Sequence, residues 1–155
     1  MNPSAADPRA LRFPLALALP LALVCGGCGK FQQARECGTF VKTVNAWLAS
    51  PEAQTAADAG ASSDPKQIAE QARRTARHYT ELSQRLAALR IEGEELAPRV
   101  KRYEQIADSA ALTLREVADA LDHDELEKAR QKRVDFDTVA QREPLLVKEI
   151  NDICR

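Results

Sequence analysis

The sequence predicts an all-α protein, an antiparallel up-down bundle of four helices. Apolar residues recur at steps of three and four over long stretches, the spacing of one helix face. Gly and Pro are concentrated near the amino terminus or in short breaks between these stretches. Only 5% of the residues are aromatic and 29% are charged, which favours helices. A chain of 155 residues is expected to form one folded domain.

The first 27 residues have the three-part layout of an export signal. Arg9 and Arg12 precede an apolar run over 13–24 (FPLALALPLALV), and the small residues Gly26 and Gly27 follow it. A helix as long as this run reaches only about 18 Å, well short of a hydrocarbon core of roughly 30 Å. A transmembrane span is therefore the weaker interpretation, and residues 1–27 are predicted to be a signal peptide.

The end of this segment, Gly26-Gly27-Cys28, resembles the lipobox of bacterial lipoproteins, in which a small residue precedes a cysteine. The resemblance implies cleavage before Cys28, attachment of a diacylglycerol to its sulfur and acylation of its new amino group with a chain such as palmitate. Cys25 stands where that family most often has Leu. The lipid would hold the protein at a bacterial membrane, and Gly29 in place of Asp implies the outer membrane by the rule for enteric bacteria.

Cysteine parity supports this interpretation of the C-x-x-C sequence formed by Cys25 and Cys28. The chain has four cysteines, and loss of Cys25 with acylation of Cys28 leaves two, Cys37 and Cys154. An ordinary secretory cut after Gly26 or Gly27 would leave three cysteines, an odd number in an oxidising compartment. A plain secreted or uncleaved form is the main alternative. A redox pair would need a strand before its helix, and a zinc site would need more ligands.

After a predicted tether over 28–35, the helical bundle domain should occupy 36–155. The first helix starts near Cys37 and ends at Ser50-Pro51, and a loop over 52–63 follows. The second helix has Asp64 as its amino-terminal cap, Pro65 in its first turn and Gln67 completing a capping box. Its apolar face is formed by Ile68, Ala72, Thr75, Tyr79, Leu82, Leu86 and Leu89.

The third helix continues with apolar residues from Leu96 to Leu121 at the same spacing. One long coiled-coil helix through Gly93 is the alternative, because the spacing of three and four residues between apolar positions continues through Gly93. In a helix interior Gly93 would cost about 1 kcal/mol and Pro98 roughly 3 kcal/mol, so a hairpin turn is preferred. After a turn at 122–124, Asp124 and Glu127 predict a capping box for the fourth helix, which Pro144 should kink.

In an up-down bundle the start of the first helix and the end of the fourth lie at the same end. Cys37 and Cys154 are therefore expected to meet there, and we predict a Cys37–Cys154 disulfide. The turn near 91–97 lies at the same end. An acylated Cys28 should then hold the bundle end-on, with this turn towards the membrane and the turn near Asp122 away from it.

The sequence contains no convincing catalytic or metal-binding set, and the expectation is a non-enzyme without cofactor or metal. His78 is interpreted as a surface residue beside core Tyr79, and His123 as part of an acidic turn. No G-x-S-x-G, Glu-x-x-His or C-x-x-C-H sequence occurs. A net charge of −1 gives no indication of nucleic-acid binding.

Charge is unevenly distributed along the chain, with 73–102 basic and 104–127 acidic. Arg73, Arg74, Arg77 and Arg85 could meet anionic lipids or cell-wall polymers, but a solvated face with helical pairs such as Glu70–Arg74 and Glu81–Arg85 is preferred. The sequence therefore predicts a lipid-anchored cell-envelope protein whose bundle binds a protein partner or acts as a scaffold. A periplasmic carrier of a ligand or metal is the alternative.

Overall fold

The computed structural model describes residues 25–51 and 63–155. The predicted signal peptide up to residue 24, and the loop predicted over 52–63 except Ser63, lie outside the described residues. Within those ranges the chain forms five α-helices and no strand: α1 (Cys25–Leu48), α2 (Pro65–Ala87), α3 (Leu96–Asp122), α4 (Leu126–Ala140) and α5 (Glu143–Ile153). Because α4 and α5 are the two parts of the predicted fourth helix, the all-α four-helix bundle is confirmed.

Contacts between neighbouring helices show the up-down arrangement. Asp122 at the end of α3 forms an ion pair with Arg73 near the start of α2. Lys132 in the middle of α4 lies 2.9 Å from Glu116 in the second half of α3. Helices α2 and α3 therefore run in opposite directions, α4 and α5 both run back along α3, and α1 lies antiparallel to α2 on the outside of the α2–α3 hairpin.

The first helix is longer than the sequence analysis indicates. Residues 28–35, expected to form a tether, belong to the first turns of α1, which begins at Cys25 and continues without a break through Cys37. No proline interrupts this segment, and the side-chain amide of Gln33 donates to the carbonyl oxygen of Ile153 at 2.8 Å. The amino-terminal part of α1 is thus both helical and attached to the end of α5.

The hairpin between α2 and α3 confirms the preferred prediction over the single long helix. Asp64 caps α2 by accepting a hydrogen bond from the backbone N–H of Lys66 at 3.0 Å, and Pro65 opens the helix. Residues 88–95 are not helical, and α3 begins at Leu96. Pro98 consequently lies in the first turn of α3, where its missing N–H breaks no helical hydrogen bond.

The remaining two breaks differ in detail from the predictions. Asp124 has a φ of 59°, the left-handed conformation that Asp tolerates, and Glu125 is the residue that precedes α4. The capping box predicted for Asp124 and Glu127 is therefore wrong, because Asp124 forms the turn itself. At the predicted kink the helix is interrupted at 141–142, so that Pro144 lies in the first turn of α5.

The buried side chains form two clusters along the bundle, here called the disulfide half and the alanine half. The disulfide half combines large apolar residues from α1, α2, α3 and α5: Cys37, Phe40, Trp47, Leu82, Leu86, Leu96, Val100, Tyr103, Ala107, Leu146 and Ile150. The alanine half is built mainly by α2 and α3: Ala69, Ala72, Ala76, Leu114, Val117 and Ala118, with Phe136 of α4 packed against it.

Candidate functional site

Helix α1 and the residue that follows α5 are joined by a covalent bond within the disulfide half. Cys37, in the middle of α1, and Cys154, just after α5, form the predicted disulfide with their Cα atoms 5.6 Å apart. Cys37 is 5% exposed and packs in the core. The covalent bond joins the first helix to the last across 117 residues of sequence. Cys28 lies in the first turns of α1, on the same helix as this bond.

A buried carboxylate next to the disulfide was missed by the sequence analysis. Glu36 is 5% exposed and accepts hydrogen bonds from the backbone N–H groups of Glu92 and Gly93 at 3.1 and 3.0 Å. The side-chain amide of Gln32 donates a third bond at 2.9 Å. The Gln32 bond, with those from the turn, holds the pKa of Glu36 below its ordinary value of 4.5 although burial opposes this.

This carboxylate supplies acceptors that the α2–α3 turn lacks. Backbone N–H groups in a turn have no helical partners and need acceptors when water is excluded. A Cβ atom on Gly93 would lie 2.9 Å from Oε2 of Glu36, so the glycine permits the close approach. Glu36 therefore acts as a bracket between α1 and the 88–95 turn. The contact of Glu36 with this turn could have been found from the sequence by two features. Glu36 directly precedes Cys37, and the turn near 91–97 was expected at the same end of the bundle as Cys37.

A cleft of about 450 Å³ lies beside this bracket, between α1 and the 88–95 turn. Six of its nine lining residues have polar or charged side chains, and Leu96 is the one large apolar residue among Gly29, Lys30, Gln32, Gln33, Glu92, Gly93, Glu94, Glu95 and Leu96. Pockets that bind apolar small molecules are lined mostly by apolar and aromatic side chains. This cleft is therefore poorly matched to an apolar ligand.

The interpretation of His78 as a surface residue is wrong. It is 4% exposed, and its ring stacks on Trp47 with centroids 4.4 Å apart and planes inclined by 12°. The indole N–H of Trp47 donates to the carbonyl oxygen of His78 at 2.9 Å. The helical spacing of apolar residues predicted Tyr79 in the core and His78 at the surface beside it. Helix α1 packs on that side of α2 and buries His78.

Two tyrosines in the core have pKa values raised above the ordinary value. Burial is the main cause for Tyr103, and its hydroxyl also donates a hydrogen bond to Glu143. Burial likewise raises the pKa of Tyr79, with the Glu143 charge as a smaller cause. Both phenols stay protonated near neutral pH, so they serve as packed hydrogen-bonding groups and not as proton acceptors.

The basic surface of α2 is paired with carboxylates. The predicted helical pairs are present, with Arg74 3.1 Å from Glu70 and Arg85 3.6 Å from Glu81. Arg73 pairs across the helix interface with Asp122. Exposed pairs of this kind contribute little stability individually. They agree with the preferred interpretation of 73–102 as a solvated face.

Within residues 25–51 and 63–155, no three His, Cys, Asp or Glu side chains come together in a way that could hold a metal ion. His123 lies in the turn after α3, with its Nδ1 2.7 Å from the carbonyl oxygen of Asp119. Among helices in those ranges, none combines the length and apolar character needed to cross a bilayer.

Comparison with known protein families, curated proteins and solved structures gave no match for this chain.

Proposed function

We propose that this protein is a bacterial cell-envelope lipoprotein, acylated at Cys28 and held at a membrane, most consistent with the outer membrane. The observation that carries the proposal is the sequence around the cleavage region. An apolar run over 13–24 leads into Gly26 and Gly27 directly before Cys28, and Gly29 follows.

The disulfide supports the compartment that this proposal requires. Disulfides persist in oxidising environments such as the bacterial periplasm and are rare in the cytosol. Cys37 and Cys154 are the two cysteines left after cleavage before Cys28 and acylation of that residue, and they are the pair that is bonded. Each of the four cysteines then has a defined fate, with no reactive thiol left over.

The folded body would act by binding a protein partner or as a scaffold. Its core consists of interlocking apolar side chains, and the buried carboxylate Glu36 is engaged by three donors from Gln32 and the 88–95 turn. The residues that line the 450 Å³ cleft include no aromatic side chain and only one large apolar residue, Leu96, so the cleft gives no specific support to a carrier of apolar ligands. The capacity to interact therefore lies on the outer surface of the bundle.

Acylation is tested by expressing the full chain in a bacterial host with an alkyne analogue of palmitate and measuring the intact mass of the membrane-bound product. The expected product starts at Cys28 and carries the label and the mass of the lipid. Cys28→Ala should abolish both and leave an uncleaved chain. Cys25→Ala is the matched control and should be acylated normally, because Cys25 leaves with the signal peptide. An unlabelled parent chain would disprove the proposal.

Binding is tested by capture of the acylated protein from detergent-solubilised membranes, with identification of the proteins that come with it. A partner retained by the parent protein and by Cys25→Ala, and reduced for the mislocalised Cys28→Ala variant, is the expected result. Absence of any protein above the level in the Cys28→Ala control would contradict a protein-binding role.

A further inference from the structure

Helix α1 has two apolar faces, and the bundle uses only one of them. Cys37, Phe40 and Trp47 point into the core with at most 6% exposure. A second series at steps of three and four lies outside and is apolar except for Asn45: Phe31, Ala34, Gly38, Val41, Asn45 and Leu48, all of them exposed. We call this series the outer face of α1. Its large members Phe31, Val41 and Leu48 are 75%, 40% and 54% exposed.

The charges on α1 are all of one sign towards solvent. Lys30, Arg35 and Lys42 are exposed, whereas Glu36, the sole acidic residue between 25 and 48, is buried against the 88–95 turn. On a helical projection these three cations lie at the two edges of the outer face. An exposed apolar face with cations along its edges is the pattern of helices that lie in the headgroup region of a bilayer, where Lys and Arg extend towards the phosphates.

The exposed Leu112 on α3 does not share this setting. Leu112 on α3 is 56% exposed, but Asp108 and Glu116 lie one turn before and after it on the same side of the helix. An anionic membrane would repel that surface. Of the seven large apolar residues exposed in the described ranges, three lie on α1.

From this pattern we infer that the outer face of α1 lies flat on an anionic phospholipid surface. The inference rests on the proposed function in one respect, because Cys28 on the same helix would bring the face to the membrane. The disulfide and the Glu36 bracket fix α1 to the body, so the whole bundle would lie on its side. This arrangement replaces the end-on orientation expected from the sequence.

The orientation is tested by tryptophan scanning of the full-length protein reconstituted into vesicles of phosphatidylcholine with a minor share of phosphatidylglycerol. Val41→Trp and Leu48→Trp report on the outer face, and Leu112→Trp is the matched exposed control on an acidic surface. Trp47, the single native tryptophan, gives the background measured in the parent protein. Lipids brominated near the headgroup quench only tryptophans at that depth.

We expect the added fluorescence at 41 and 48 to fall about twofold or more in brominated vesicles, and that at 112 to stay unchanged. Quenching at Phe31→Trp alone would establish the end-on orientation and overturn the inference, as would no quenching at any position. A blue shift at 41 and 48 in detergent without vesicles would show that a second copy covers the face, and would also overturn it.

A charge variant provides a second measurement. In the Leu48→Trp protein, Lys42→Ser should lower the equilibrium constant for contact between the outer face and the anionic vesicles about fivefold, as measured by quenching at 48, since one Lys near such a surface contributes about 1 kcal/mol. Lys101→Ser on α3 is the control and should have no effect. The inference and the proposed function fail separately. A chain without acyl mass that still shows quenching at 41 and 48 disproves only acylation, and an acylated chain without this quenching disproves only the inference.

Discussion

The two halves of the bundle are stabilised in different ways. The disulfide half is filled by large side chains from four helices and is closed by a covalent bond and a buried carboxylate. The alanine half depends on small side chains that let α2 and α3 approach closely, and among the described residues α1 contributes nothing to it. The chain thus joins α1 to the end of α5 and to the 88–95 turn with specific bonds, while the opposite end of the bundle depends on close helix packing.

The largest effect should come from removing the disulfide. In the chain-entropy description, a bond that closes a loop of 117 residues stabilises by at most about 4–5 kcal/mol. We expect Cys37→Ala/Cys154→Ala to lose up to this free energy of unfolding in urea denaturation, and reduction of the parent protein to reproduce it.

Hydrogen exchange of the same double variant sharpens the comparison between the halves. Amides of α1 should lose protection first, because its described packing lies wholly in the disulfide half. Amides around Ala118 in α3 should stay close to the protection set by global unfolding. Equal loss of protection in α1 and α3 would show that the halves are one cooperative unit and would contradict the division.

The second-largest loss of stability is expected from two core substitutions, one in each half of the bundle. Leu82→Ala in the disulfide half, at a side chain 1% exposed, should cost about 2–5 kcal/mol because the large neighbours cannot close the cavity. Ala118→Leu in the alanine half, at a residue 0% exposed, should cost about 1–3 kcal/mol or more because the helices must separate. Leu112→Ala at the surface is the control for urea denaturation. A negligible cost for Ala118→Leu would mean that the alanine half has unused space.

The smallest effect concerns Glu36. Glu36→Gln keeps the shape but removes the charge from three hydrogen bonds, and should cost about 1–2 kcal/mol at neutral pH. Because the folded-state pKa is lowered, the stabilisation by the carboxylate is full above the ordinary value of 4.5 and is lost as pH falls through the folded pKa. The stability difference between variant and parent should therefore shrink in acid.

The exposed Glu81→Gln is a matched control for the urea titrations, and little change is expected there. If the difference in unfolding free energy between Glu36→Gln and the parent stays the same at low pH, then the shape of the Glu36 side chain, and not its charge, joins α1 to the turn.

The disulfide and the hairpin could be predicted from the sequence because each depends on a strong local rule. Gly93 and Pro98 are both costly inside a helix, so a turn had to fall near them. Once four antiparallel helices are assumed, topology alone brings Cys37 and Cys154 to one end.

The positions of Glu36 and His78 could not be predicted in this way. Both depend on which side of the α2–α3 hairpin is covered by α1, and the periodicity of a single helix does not contain that information. His78 is covered by the Trp47 ring of another helix, and Glu36 meets backbone groups of a turn far along the chain. The error at Asp124 has a different origin, since its left-handed backbone is set by how tightly the chain turns into α4.

The bond between Cys37 and Cys154 also determines what a proteolytic cut would do. Cleavage in the 88–95 or 123–125 turn would leave both fragments linked through sulfur, so no piece of the body would be released from the helix that carries Cys28. A damaged molecule would remain a nicked but connected particle until a reductant reached the bridge.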